Sequence, residues 1–544
     1  MLTGALVASL PLLVLLIGIP LMMKPAAKVA PIALLVTILG AILGFGLPAK
    51  VVLLSALQGG ITGIFPIMYI PFGALVIYNV LKVTGWMDKM QGAMANLTID
   101  RRAQALLIAF GFGAFLEGIC GFGAPVAIPA MILVGLGYNP MMAAMVCLVA
   151  NTGPVPFGSL AIPTVTLAKT TGQDLMSLSM MTGRLMAPLA FIMAFATVYA
   201  MSKGKGMRGI LPTIFVTGIS FAVTEFLVSN FVSAELTSVL AALVCLTATA
   251  VFLKFKAKEE PWLFEGEKAS ETVVREFHPK ELFLSWLPYL LLAVFIILVN
   301  LAKTKPLFAG TAPGWHALLI KFQIYNPNKM YAFSWLQTPG TVMLIAGMVA
   351  FPFMGVKYSV VGSQFGRTFK QMIPSFIAVA CILAISEVMN VSLPIVDPKT
   401  KLAVWGTLGV KQISMVATLS QSIVHVVSRS IYPLLSPLFG MIGVFLTGSN
   451  TSANALFGNL QVLTAKAMGL SDILMAAAGS AGASAGKMIS PQSIVIAATA
   501  VGLSGKEGQI MRQTIKYTIP YVILLGLMVW GFAFLFPGLV PLGR

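Results

Sequence analysis

Gly113-Ala-Phe-Leu-Glu-Gly-Ile-Cys-Gly-Phe-Gly-Ala-Pro125 lies in the middle of the apolar stretch 103–136 and cuts it in two. Each half is shorter than the about 20 residues a helix needs to cross a bilayer. Non-helical backbone at membrane depth survives only where protein or a water-filled cavity satisfies its polar groups. The stretch therefore reads as a re-entrant hairpin. The pattern returns at an offset of 330, where Gly443-Val-Phe-Leu-Thr-Gly448 runs into Ser449-Asn-Thr-Ser-Ala-Asn454 inside the apolar stretch 432–467. Two such hairpins in one chain decide the fold.

The rest of the 544 residues suit a membrane. The chain is 58% hydrophobic and 10% charged, against roughly 25% charged in an average soluble domain. A soluble protein of this composition would expose large apolar patches. Crossings are expected at 5–22, 29–47, 62–84, 139–170, 176–200, 210–230, 234–253, 283–301, 337–356, 373–393, 471–503 and 517–540. The fold class is an all-α polytopic membrane protein with about 12 transmembrane helices plus the two hairpins. The first span lacks a basic n-region and a cleavage site, so it reads as retained and not as a signal peptide. The net charge of +18 is spread over short links such as Lys203, Lys205 and Arg208. That pattern fits cytoplasmic loops and gives nucleic acid no basic face. Alternation from an external N-terminus puts 85–102, 201–209, 254–282, 357–372 and 504–516 in the cytoplasm; the basic loop 302–336 is the exception. Cys120, Cys147, Cys245 and Cys381 lie in apolar segments without metal-ligand spacing and read as free thiols.

The spans after each hairpin, 139–170 and 471–503, are too long for one crossing and are interrupted. Gly137-Tyr-Asn-Pro-Met-Met-Ala-Ala144 aligns with Gly469-Leu-Ser-Asp-Ile-Leu-Met-Ala476 at an offset of 332. Register kept across a hairpin and a broken helix argues for a duplication. An odd number of crossings separates the copies, so they run oppositely through the membrane, an inverted repeat. The expected layout is a first half, 1–253, a charged cytoplasmic linker, 254–282, and a second half, 283–544.

Four interruptions should converge: 117–125, Asn151-Thr-Gly-Pro154, 448–454 and Ala481-Gly-Ala-Ser-Ala-Gly-Lys487. Each starts a half-helix with free N–H groups and a positive dipole end, which favours an anion. Gly118, Gly121 and Gly123 would let backbone approach closely. Asn151, Thr152, Ser449, Asn450, Thr451, Asn454 and Ser484 would supply neutral hydrogen-bonding groups, and Lys487 a cation. Intramembrane ionisable residues cost roughly 2.5–3.5 kcal/mol and tend to be functional. Glu117 at the first tip is the preferred proton-coupling group and Glu387 the second choice. Glu225, Arg184, His425 and Arg429 are further ionisable residues in or near the spans.

Phe115-Leu-Glu-Gly118, Gly121-Phe-Gly123, Ala150-Asn-Thr152, Phe445-Leu-Thr-Gly-Ser-Asn-Thr451, Leu456-Phe-Gly-Asn-Leu-Gln461 and Gly486-Lys-Met-Ile-Ser-Pro-Gln-Ser493 resemble the lactate permease family of bacterial lactate/glycolate:proton symporters. The resemblance spans nearly the whole chain and departs from the family at Ile119-Cys120 and Ala483-Ser-Ala485. It implies uptake of L-lactate, with D-lactate and glycolate as further substrates, by proton symport through alternating access in the bacterial inner membrane. No cofactor is expected; the partners are a small carboxylate, a proton and the lipid bilayer, with a homodimer left open. A sodium-coupled carrier of another small carboxylate is the alternative, since Ser449-Asn-Thr451 with nearby carbonyls could hold that ion. No metal cluster, nucleophile elbow or phosphate loop suggests an enzyme.

Overall fold

The computed structural model describes all residues except 1, 23, 96, 122, 256–260, 265–266, 268–278, 301–303, 325–329, 392–394, 397–402, 405–413 and 543–544. Nine helices among the described residues are long and apolar enough to cross a membrane, ten with the bent pair Pro140–Ala150 and Val155–Thr171. Other expected crossings are shorter or jointed helices, such as Leu2–Leu16 continued by Ile17–Leu21, and Pro339–Ala350 continued by Phe351–Met354. Large apolar side chains face outward along these helices, for example Phe215, Ile219, Val223 and Phe226 on Leu211–Phe231. Only lipid suits such a surface. The chain is a multi-pass helical membrane protein.

The stretch 103–136 is a hairpin of arms Arg101–Ile119 and Ala124–Gly135. The first arm is longer than the sequence reading allowed, and it is wholly buried. The second hairpin has arms Tyr432–Thr447 and Asn450–Ala467. The matched glycines perform the same task in each. A Cβ on Gly113 would press on Pro125 of the opposite arm at 3.3 Å, and one on Gly443 would meet Ala453 at 2.7 Å. Packing between the copies is reciprocal. Ala124–Gly135 packs on Pro491–Ala500, and Asn450–Ala467 packs on Gly158–Thr171. Leu175–Ser202 and Glu507–Phe534 each pack on both Pro140–Ala150 and Asp472–Ile489. That exchange is what a two-fold relation between inverted copies produces.

Several expectations need correction. The break expected at 481–487 lies later, because Asp472–Ile489 is an unbroken helix that ends at Ser490-Pro491. The first copy unwinds at 151–157, where Pro154 and Pro156 remove donors and disfavour helix before them. Segment 481–487 has no proline. Its glycines serve close packing instead: a Cβ on Gly482 would lie 2.0 Å from the Pro437 carbonyl, and one on Gly486 2.5 Å from that of Met441. The span expected at 62–84 begins at Ala49 and kinks where Phe65 leaves helical geometry, before Tyr69–Val83. Gly59 and Gly63 are small because Leu383 and Ala380 backbone atoms would sit 2.5 and 2.7 Å from their Cβ positions. The loop expected at 357–372 is the start of the helix Tyr358–Asn390, whose buried Val361, Gln364, Thr368 and Met372 follow a helical stripe. The all-α expectation also omits two short antiparallel ribbons, one pairing Leu319–Gln323 with Met330–Ser334 and the other Ile395–Val396 with Ala403–Val404.

The linker expected at 254–282 falls largely outside the described residues. Its described part docks at the base of the first hairpin. Arg101 donates to Glu267 through Nε at 3.0 Å and Nη2 at 2.8 Å. Arg101 N–H donates to the Trp262 carbonyl, and Trp262 N–H to Asp100 Oδ2. Phe264 meets Tyr138 edge-on with ring centroids 5.0 Å apart.

Candidate functional site

Two hairpin tips and two helix breaks meet at one cavity of about 120 Å³. About 10–15 Å³ of such space holds one water, so the cavity has room for a small organic acid. The first hairpin contributes Glu117, Gly121 and Gly123; the second contributes Thr447 through Ser452. The breaks contribute Asn151, Gly158, Ser159, Lys487, Gln492 and Ser493. Ser375, Ala378, Val379 and Ile382 on Tyr358–Asn390 close a further wall.

Glu117 and Lys487 are the only charged residues that line it among those described. They pair at 2.7 Å between Lys487 Nζ and Glu117 Oε1, with side chains 14% and 5% exposed. The pair spans the repeat, joining the first hairpin to the last turn of Asp472–Ile489. Asn151 Nδ2 donates to the other carboxylate oxygen at 3.1 Å. Glycines make the room. A Cβ on Gly158 would sit 2.6 Å from Glu117 Oε1, and one on Gly121, at φ +56°, 2.5 Å from Ser159 Oγ. Beside them Ser159, Leu160 and Ala161 all hold left-handed backbone, with φ of 47°, 58° and 59°. Each such residue costs about 1–3 kcal/mol, and strain of this kind gathers at functional sites.

Free amide dipoles are unevenly distributed. In Asn450–Ala467 the first helical bond runs from Ala453 N–H to the Ser449 carbonyl. The N–H groups of Asn450, Thr451 and Ser452 therefore have no intrahelical acceptor, and the Ser449 side chain does not cap them. At the first tip those donors are spent. Ala124 donates to Gly121, Val126 to Gly123, and Pro125 has no N–H. The free helix-start donors lie at the second hairpin, joined by the Gln492 and Ser493 end of Pro491–Ala500.

Five residues expected at the site do not line the cavity. Gly118 packs against Ser238 and Val239, where its Cβ would approach 3.1 Å. Thr152 donates its hydroxyl to the Val149 carbonyl. Asn454 is spent on architecture, donating to the Pro163 carbonyl and Ser480 Oγ, both at 2.9 Å. Ser484 is buried in the unbroken part of Asp472–Ile489. Glu387 lies beyond the cavity-lining turn of its helix and accepts from Gln58 Nε2 at 3.4 Å. Of the other ionisable residues, Arg184 donates to Asn230 and Arg429 to the Gly469 carbonyl. Gln492 and Ser493 carried a signal, a Ser-Pro-Gln-Ser run opening an apolar helix. Ser159 and Ser375 carried none.

The family model described as L-lactate permease matches residues 4–536. The chain is 36% identical to the L-lactate permease of Bacillus subtilis over 92% of this chain and 91% of that one. It is 34% identical to the glycolate permease GlcA of Escherichia coli, over 99% and 97%. Identity to the L-lactate permease of Salmonella typhimurium is 32%, again over 99% and 97%.

Proposed function

Because the chain belongs to the L-lactate permease family, we propose that it is a bacterial inner-membrane carrier that takes up lactate or glycolate together with a proton. The observation that carries this reading is the 2.7 Å pair of Glu117 and Lys487 inside the cavity. Lys487 is the one cation there among the described residues, and Glu117 already holds it. A substrate carboxylate can claim Lys487 only when Glu117 releases it. Protonation of Glu117 is the inexpensive release, since a buried ammonium left unpaired is strongly destabilising. Anion and proton then enter together, and the cavity keeps its charge. The carboxylate's second oxygen would take the N–H groups of Asn450, Thr451 and Ser452.

Reciprocal packing of the two hairpins on the opposite copies supports alternating access. Labelled L-lactate uptake into proteoliposomes tests the coupling. An inside-alkaline gradient should drive accumulation without added sodium. A sodium gradient at constant pH should not, and accumulation driven by sodium alone would overturn the reading.

A further inference from the structure

Asn450 is 2% exposed and lines the cavity at the second hairpin tip. Its Nδ2 donates to the Ser480 carbonyl at 3.2 Å and reaches Ser480 Oγ at 3.5 Å. A backbone carbonyl can only accept, so the orientation of the carboxamide is fixed. Its Oδ1 must point away from Ser480, and it is buried without a hydrogen-bond partner. Buried acceptors in native proteins are nearly always satisfied. An occupant of the cavity that Asn450 lines could supply the missing donor.

A carboxylate has only acceptor oxygens. The hydroxyl next to it is the one donor that a 2-hydroxy acid offers. We propose that Asn450 is the specificity-determining residue of this carrier, its Oδ1 accepting a hydrogen bond from the 2-hydroxyl of the substrate. The inference rests on the carboxylate-carrier reading above and names the residue by which that carrier would select a 2-hydroxy acid. A 2-oxo acid would face Oδ1 with a second acceptor, and an unsubstituted acid would face it with a methylene. Sites built to bond a substrate hydroxyl discriminate strongly against analogues that lack it, because the protein group is left unpaired.

Asn151 also lines the cavity with an unpartnered Oδ1, but its situation differs. Its Nδ2 is held by the Glu117 carboxylate, a partner whose protonation the transport cycle changes. Once Glu117 carries a proton, a turn of the Asn151 carboxamide lets Oδ1 accept that proton's hydrogen bond. Asn151 answers to the proton, Asn450 to the hydroxyl. The hydroxyls of Ser449, Thr451 and Ser493 can donate or accept by rotation and so impose no such choice.

The test is competition against labelled L-lactate in proteoliposomes holding the full chain. With wild-type protein, glycolate should compete within a few-fold of lactate, and pyruvate and propionate roughly 10- to 100-fold more weakly, the size expected for one unsatisfied buried acceptor. In Asn450→Ala the lactate affinity should fall to that of propionate and the discrimination should vanish. A variant that keeps the lactate preference would overturn the assignment. Where Asn450→Ala does not fold, the wild-type ranking decides. Propionate or pyruvate competing as well as lactate removes the inference and leaves the carrier intact. Absence of any lactate transport removes the carrier reading itself.

Discussion

Replacing Glu117 by Gln separates the two roles assigned to the Glu117–Lys487 pair. The substitution keeps the shape and the contact with Asn151 Nδ2, but removes the charge that holds Lys487. Both side chains are largely buried, so an unpaired ammonium remains; breaking one partner of a buried pair costs about 3–5 kcal/mol. Thermal unfolding in detergent should show that loss, and adding Lys487→Met in the same chain should recover much of it. Function should move the other way. The substrate carboxylate no longer competes with Glu117, and a hydrogen bond to a charged group is worth about 1.5–3 kcal/mol. Lactate should then bind roughly 10- to 100-fold more tightly, exchange across the membrane by counterflow, and fail to accumulate under a pH gradient. The assay is labelled lactate uptake at varied internal and external pH, beside counterflow at equal pH. If Glu117→Gln accumulates lactate with the wild-type pH response, the coupling argument is wrong.

Gly158→Ala would set a methyl 2.6 Å from Glu117 Oε1, a clash of the overpacking class that costs about 1–3 kcal/mol; lactate uptake should drop sharply, while Gly60→Ala, with open space around its Cβ, should transport normally. Gly440→Ala would push a methyl to 1.7 Å from the Gly479 carbonyl, so the second hairpin should separate from Asp472–Ile489 and the protein should lose thermal stability whether or not lactate is present. The Arg101 guanidinium beside Glu267 holds that carboxyl below the usual carboxylate range. A depressed acid contributes stability above its unfolded pKa of about 4.3 and loses it as pH falls through the lowered folded value. Protease protection of the linker near Trp262 should therefore persist through neutral and mildly acidic pH, fail only below the ordinary carboxylate range, and be weak at all pH values in Arg101→Gln.

Much of this architecture is written in where polar and small residues interrupt apolar runs. Glu117, Gly121, Gly123, Asn151, Ser449, Asn450, Thr451 and Lys487 stand out in that way, and the structure brings all eight to one cavity. What failed was the reading of glycine. At Gly123, with φ of +85°, it marks a true break. At Gly482 and Gly486 it marks a helix pressed against another, and composition alone does not distinguish the two. Asn450 and Asn454 look alike in sequence and both reach Ser480, yet only the one at the helix start lines the cavity. Intramembrane charge drew attention to Glu387, but the Gln58 it meets lies 329 residues away. The left-handed turn at Ser159–Ala161 has no glycine to announce it; tertiary packing imposes it on residues that would not choose it.

The docked segment around Trp262 and Glu267 bears on how the chain can be made. All its contacts named above run to residues earlier in the chain: Asp100, Arg101 and Tyr138. A cut just after Glu267 leaves each of those named contacts in place. The two fragments would still own the reciprocal surfaces by which Ala124–Gly135 meets Pro491–Ala500 and Asn450–Ala467 meets Gly158–Thr171. The segments 1–267 and 268–544, produced together from separate genes, are therefore expected to assemble in the bilayer, and labelled lactate uptake by the pair should match that of the intact polypeptide.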